Sequence, residues 1–500
     1  MKVIIIGGGI SGLTCAYELS KYNIYIELYE KDNEFGGLVQ GIVKNGKYDE
    51  HSWRGFNKNY KNLFSIMKDI NIYHNINFEK NITLHRESIP YYEYYKLFSF
   101  QLFQYIFYFF VYLFSSKDRI DKEYKNILLS SLIKYDKNNY FYNNLLGDLL
   151  HIGSDPFLVS AHTLYNLRFK CNTTWHHLKY PTNIAIINPW IKYLKSNDVQ
   201  IFNNSKLENI KFTNNVNNAI DYLIINGEKK TADYYIFAIP PYALNKLFSK
   251  TLLSKKIENL HYTGQHKELS FRLYFKDKIT ISTNLSLPKS DWGIVLIPLH
   301  EFWDKNYKLG NNIKSIISGT CVTGGNISSN LNKNIFNSSK EEVINSIKYQ
   351  LENNIYFNNI IKKYNNGKTL KDYTYDIKLW YKWYETDIGM DTDDIYWSNT
   401  YQTSTHRLNQ YEGFYNLFFA GVHTKTSIDL ATMESAAESG KLACLQLMKK
   451  ANFKHNIFYH KHEYNPIIKM IKKADNVLFM NNLPNIFIII ILFILIKSIF

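Results

Sequence analysis

Residues 7–12 read Gly-Gly-Gly-Ile-Ser-Gly, and Gly7, Gly9 and Gly12 stand at GxGxxG spacing between an apolar run and a helical one. Val3, Ile4, Ile5 and Ile6 make a short β-branched strand. Leu13, Ala16 and Leu19 then recur at helical spacing, and residues 24–29 are apolar again and end at Glu30. Strand, glycines, helix, strand and acid in this order form a β-α-β dinucleotide fingerprint. The glycines serve a tight turn, close approach of backbone to a pyrophosphate, and close helix packing. Ile10 and Ser11 open a helix whose free N–H groups and dipole favour phosphate. Glu30 stands where a carboxylate takes the hydroxyls of a ribose.

The rest of the chain is arranged around that unit. Residues 188–196 have helical spacing, 199–202 read as a strand, and 207–213 with 219–225 as a hairpin. Residues 230–239 read as a single strand closed by Pro240-Pro241, a late member of the first sheet. From 267 to 397 the pattern turns to strands such as 269–275 and 292–297, with a helix over 340–352; a last strand at 417–421 precedes a helix over 433–448. The expected class is α/β, a Rossmann-like dinucleotide-binding domain interleaved with an α+β substrate domain. The parts expected are 1–90, 161–245 and 401–450 for the first domain, 246–400 for the second, a helical, membrane-facing segment at 91–160, and a tail at 451–500.

The formal charge of +15 does not point to nucleic acid, because the lysines are scattered and form no basic stripe; attraction to anionic lipid is a second reading of it. Cys15, Cys171, Cys321 and Cys444 lie far apart with no CxxC or metal spacing, which argues for a reducing compartment, against a disulfide framework and against a metal site. Met1 leads directly into the first strand, so no signal peptide is expected. Residues 486–496 are eleven apolar residues, roughly 17 Å as a helix. They approach the roughly 30 Å hydrocarbon core only if Lys497 snorkels and Ile499 and Phe500 also insert. Residues 97–114 are aromatic on all faces and read either as a buried helix or as an interfacial helix at the mouth of a lipid-facing tunnel. The expected location is the cytoplasmic side of a membrane, in a reducing compartment, with 486–496 as a C-terminal anchor.

Two further motifs identify the dinucleotide. Glu30-Lys31 is separated by four residues from Gly36-Gly37, and residues 417–426, Leu-Phe-Phe-Ala-Gly-Val-His-Thr-Lys-Thr, precede residues 432–441, Thr-Met-Glu-Ser-Ala-Ala-Glu-Ser-Gly-Lys. Together they resemble the FAD-dependent amine oxidase and phytoene (carotenoid) desaturase superfamily. The resemblance runs to about residue 450, strong at both ends and thin in the substrate region. It implies FAD, with Gly7, Gly9, Ile10, Ser11, Gly12, Glu30, Lys31, Gly36, Gly37 and Leu38 on one side of the cofactor and Gly421, Val422, Thr432 and Met433 on the other, and backbone near Leu207 against adenine. Val422 stands where the family has a ribitol-binding aspartate, a loss of about 1 kcal/mol. Leu38 stands where amine oxidases usually have arginine, which tilts the resemblance toward desaturases.

Residues 48–56, Tyr-Asp-Glu-His-Ser-Trp-Arg-Gly-Phe, resemble the desaturase segment beside the flavin. His51 and Arg54 are read there either as a proton relay and an electrostatic partner of ring or substrate, or as residues that hold a loop. The expected activity is hydride transfer from a C–H bond of a lipophilic, isoprenoid- or polyene-like substrate to flavin N5. A quinone or O2 then accepts the electrons, since Gly324-Gly325 does not form a second dinucleotide motif. The alternatives are an amine oxidase of the same fold, which needs an aromatic cage, and a membrane-tethered binding protein that lost catalysis.

Overall fold

The computed structural model describes all residues except 45–46, 82–83, 86–97, 134–139, 171–173, 214–217, 250, 252, 311, 399, 401 and 500; Cys171, Leu97 and Phe500 therefore lie outside the described residues. Two sheets organise it. The first has five parallel strands in the order Leu417–Phe419, Tyr234–Phe237, Lys2–Ile6, Tyr25–Tyr29, Gln200–Phe202. Register places Ile6 beside Phe237 and Tyr29, and Phe237 beside Phe419. The carboxyl ends of all these strands therefore share one edge, where ligands of open α/β sheets bind. The helices Ile10–Leu19 and Met433–Lys450 cover one face, and all ten residues of the first are buried.

The expected strand at 230–239 is corrected. Glu228–Lys230 belongs to a separate three-stranded sheet with Leu207–Phe212 and Ile220–Ile225, and only Tyr234–Phe237 joins the parallel sheet. The break falls at Asp233, whose carboxylate accepts the Lys2 backbone N–H at 2.7 Å and so fixes where pairing with the first strand starts.

The second sheet has six strands in the order Tyr375–Leu379, Leu269–Phe275, Ser315–Cys321, Ile294–Ile297, Asn284–Leu287, Leu84–His85. Every residue of Leu269–Phe275 is buried, so both faces of that strand are covered. Leu269, Phe271, Leu273 and Phe275 enter an apolar core with Val343, Ile347 and Ile361 of the helices Lys340–Glu352 and Ile355–Tyr364. The period of two then turns Ser270, Arg272 and Tyr274 toward residues 48–52.

The tail folds back on the body. Phe487 of the helix Ile486–Ile499 packs against Phe107, Phe110 and Phe114 of the helix Phe100–Phe114. Asp475, on the helix Pro466–Met480, accepts from Ser116 N at 2.7 Å and from Arg119 Nε at 3.0 Å, and Asn485 Nδ2 donates to Ser115 Oγ at 2.7 Å. The expectation of a spanning anchor is corrected: among the described residues no helix is long and apolar enough to cross a membrane. The fourteen residues of the last helix span about 21 Å.

Candidate functional site

At the shared edge of the parallel sheet the glycine loop is closed by its own backbone. Gly7 N donates to Tyr29 O at 2.8 Å, and Gly36 N donates to Gly8 O at 2.9 Å, which lays the double glycine over the loop. The helix Ile10–Leu19 starts at Gly9 with no side-chain cap, so its first-turn N–H groups, those of Ile10 and Ser11 included, are the anion donors of this edge. Glu30 is buried, and its carboxylate accepts from Gly8 N at 2.7 Å and Asp32 N at 3.0 Å. Burial raises its pKa while these two bonds oppose the rise. Lys31 points outward to Asp32 at 3.7 Å. Leu207 lies two residues beyond Ser205, whose N–H donates to Glu30 O at 2.7 Å.

Gly9 tests whether this edge fits a dinucleotide. A Cβ there meets nothing closer than Gly36 O at 3.8 Å, so the chain itself does not demand glycine. The free space is what a pyrophosphate needs to reach the amides. Gly9→Ala is expected to melt like the wild type yet bind FAD about 10- to 100-fold more weakly, the cost of one or two lost charge-assisted hydrogen bonds. Differential scanning calorimetry beside a flavin titration reads both, and unchanged FAD affinity would refute the assignment.

The second half of the edge comes from the far end of the chain. Ala420 N donates to Phe237 O at 2.9 Å, and Gly421 N donates to Ser439 Oγ at 2.8 Å. Gly421 has φ +137°, and the buried His423 ring folds back over it. Val422 is half-buried and its carbonyl accepts from the Arg407 guanidinium, which also pairs with Asp429 at 2.8 Å. Thr432 caps the helix Met433–Lys450 by accepting Ser435 N at 3.1 Å, and Met433 opens its first turn. Glu434 follows, wholly buried, accepting from Asn62 N at 2.9 Å, Leu63 N at 2.9 Å and His462 Nε2 at 2.8 Å. A carboxylate in this turn complements the helix dipole and ties residue 462 to the cradle.

Between the two sheets lies the segment 48–54. Arg272 donates to Ser318 Oγ and Ser52 O, both at 2.8 Å, and also to Glu50 O. Ser52 N donates to Ser270 Oγ at 2.9 Å. So held, the segment buries His51 and Arg54. Arg54 donates to Trp53 O and to Leu38 O, both at 2.7 Å, which sets its guanidinium against the residue after the double glycine. Among the described residues its Nε has no partner. Among the described residues the His51 Nε2 is unmatched, and burial brings the ring's pKa down to about 4. At neutral pH it is an uncharged acceptor. Arg272, Glu268, His266 and Ser439 escaped the sequence reading; Ser270 and Arg272 alternating within an apolar strand were the available signal.

Comparison with known proteins agrees with this geometry. Residues 5–70 match the family described as NAD(P)-binding Rossmann-like domain. A stretch of 71 residues is 37% identical to zeta-carotene desaturase, chloroplastic/chromoplastic, of Capsicum annuum, covering 14% of this chain and only 12% of that enzyme's length. Among solved structures, an oxidoreductase from Methanosarcina mazei superposes with a TM-score of 0.62 at 14% identity over 90% of this chain and 100% of its own. Cyclohexylamine oxidase from Brevibacterium oxydans gives 0.60 at 12% over 90% and 99%. Putrescine oxidase bound to putrescine gives 0.61 at 11% over the same shares. At these identities the likeness is one of fold.

Proposed function

We propose that this chain, which has the fold of the FAD-dependent amine oxidase and carotenoid desaturase superfamily, is an FAD-dependent oxidoreductase that takes hydride from a C–H bond of a lipophilic, isoprenoid-like molecule. The observation that carries the reading is the split cradle, with the free space at Gly9 beside an uncapped helix start and a second helix N-terminus brought to the same edge from more than four hundred residues away. Bound FAD supplies the hydride acceptor, flavin N5. The chain supplies the rest. Backbone amides at 9–12 hold the pyrophosphate, and backbone at 421–422 meets the cofactor without the family aspartate. The N-terminus of Met433–Lys450 and the Arg54 cation put positive potential where the cofactor gains negative charge. His51, uncharged, accepts a hydrogen bond and donates no proton. A quinone or O2 serves as the electron acceptor.

The absorption spectrum of the purified full chain, and its anaerobic bleaching with isoprenoids and amines, tests this. A yellow protein bleached by an isoprenoid is expected. A colourless protein that takes up no FAD favours the lapsed binding protein, and aldehyde with peroxide from amines favours the amine oxidase. Arg54→Leu is expected to retain flavin but to slow bleaching by about 10²-fold or more, with Arg54→Lys in between.

A membrane surface is part of the same proposal. Phe100, Phe103 and Ile106, with Ile490 and residues 492–496, expose apolar side chains on two helices that pack together, with Phe98 exposed just before the first and Lys497 exposed on the second. Patches of this kind on soluble faces are small, and lipid is their natural cover. The full chain is expected to sediment with vesicles containing anionic phospholipid, and Phe103→Asp with Phe493→Asp to leave it largely in the supernatant. Wild-type protein that ignores the vesicles would remove this element.

A further inference from the structure

The polar face of the strand Leu269–Phe275 is matched over most of its length. Tyr274 donates to Tyr48 O at 2.7 Å, and Arg272 and Ser270 hold the backbone of residues 50–52. At the N-terminal end of this face two groups remain. His266 Nε2 and Glu268 Oε1 are buried, neither has a hydrogen-bond partner among the described residues, and they stand 3.6 Å apart, longer than a hydrogen bond. Such atoms are rare in native folds and need an explanation.

Their surroundings place them. His266 lies opposite Tyr396 in the short ladder of Gln265–His266 with Tyr396–Trp397. The Tyr396 hydroxyl donates to Ala431 O at 3.3 Å, one residue before the Thr432 cap. Ser52, the residue after His51, donates its backbone N–H to Ser270 Oγ, two residues beyond Glu268, at 2.9 Å. The pair therefore sits between the segment carrying His51 and Arg54 and the N-terminus of Met433–Lys450, the two parts of the chain to which the proposed reading assigns the reaction. Gly153 packs against the same oxygen, and a Cβ there would stand 2.6 Å from Oε1. The titratable neighbours are Asp155, Tyr396, Arg54 and His51.

The chemistry the pair presents follows from its protons. Burial lowers the His266 ring's pKa to about 4, so the ring is neutral with one donor and one acceptor nitrogen, and the tautomer with its lone pair on Nε2 complements a protonated carboxyl. Burial, with Asp155 adding to it, pushes the Glu268 carboxyl up to about 8. At neutral pH one atom donates and one accepts, and neither is charged. A hydroxyl oxygen roughly 2.8 Å from both atoms would receive one hydrogen bond and give one. An ammonium cannot accept, a carboxylate cannot donate, and a hydrocarbon leaves both groups unmade.

We infer that His266 and Glu268 form a subsite for a hydroxyl group on the substrate, with Glu268 donating to the hydroxyl oxygen and the hydroxyl donating to His266 Nε2. The inference rests on the proposed lipophilic substrate and narrows it to an isoprenoid-like alcohol. Titration calorimetry of the full chain with four probes of one chain length, farnesol, the matching hydrocarbon, amine and acid, tests it without any turnover. Farnesol is expected to bind the wild type at least about 10-fold more tightly than the hydrocarbon. That ratio falls to near one in Glu268→Leu and His266→Phe, and the isosteric Glu268→Gln, which still donates, keeps part of it. Difference infrared spectra should show a protonated carboxyl band that moves on adding farnesol and is absent from Glu268→Gln. Equal binding of alcohol and hydrocarbon, preference for the amine or the acid, or binding of none of the four overturns the subsite. The readouts need no flavin: a protein that takes up no FAD yet prefers farnesol in this way retains the subsite and loses the oxidoreductase reading, and bleaching by the hydrocarbon with no alcohol preference does the reverse.

Discussion

Gly12→Ala is expected to abolish the folded cofactor-binding unit, leaving little soluble protein, lost near-ultraviolet circular dichroism and no FAD uptake. The added Cβ would lie 1.9 Å from Gly7 O, a backbone atom fixed by the turn out of the first strand, with Ala238 Cβ behind it at 3.4 Å. No flexible side chain can yield. Relief requires lifting the helix Ile10–Leu19 off the sheet, yet that helix is buried along its whole length. On its other side Gly440 would place a Cβ 2.7 Å from Ser11 O and 2.8 Å from Thr14 Cβ. The helix is clamped from both directions. Overpacking against backbone on this scale costs more than about 3 kcal/mol, a large share of the 5–15 kcal/mol that holds a typical domain. Gly440→Val should fail in the same way, whereas Gly9→Ala keeps its fold. A Gly12→Ala protein that melts like the wild type and turns yellow with FAD would show that the loop tolerates a displaced helix.

The contrast between Gly9 and Gly12 also marks what was legible in the sequence. Strand, glycines and helix announce themselves locally, and residues 269–275 and 340–352 were readable to the residue because their apolar period is uninterrupted. The pairing of the two halves was legible because each carries its own signature, although parallel strands brought together across the chain leave no local trace. Register between elements was not legible. Nothing near Arg272 says that it will hold residues 50–52. The tail misled for a related reason. The apolar run at 486–496 gives length and greasiness, but Asp475, Asn485 and Phe487 dock it on the helix Phe100–Phe114, and those contacts are long-range. His51 was visible as a candidate, but burial, which decides its protonation, belongs to the assembled fold.

Arg272→Met is expected to cost about 3–5 kcal/mol and to release the segment that carries His51 and Arg54. Arg272 is wholly buried, and its guanidinium serves three carbonyls, Phe271 O, Glu50 O and Ser52 O, together with Ser318 Oγ. It also stands 3.9 Å from Asp49 Oδ1 and from Glu50 Oε1. Methionine fills much of the volume but leaves these acceptors unmatched and two carboxyls without their cation. Burial already pushes Asp49 up to about 6, with Arg272 the main opposing influence, so removing the arginine raises it further. A carboxyl whose folded pKa exceeds its unfolded value contributes stability at low pH and loses it as pH rises through the folded pKa. The defect should therefore be smallest near pH 5 and grow toward pH 8, and Arg272→Met combined with Asp49→Asn should recover part of it at pH 8 and none of it near pH 5. Melting temperatures of the four proteins of this cycle across that range decide the matter. A loss independent of pH would mean that Arg272 acts through the carbonyls alone, and flavin bleaching rates of the same proteins would show whether the released segment takes Arg54 away from Leu38.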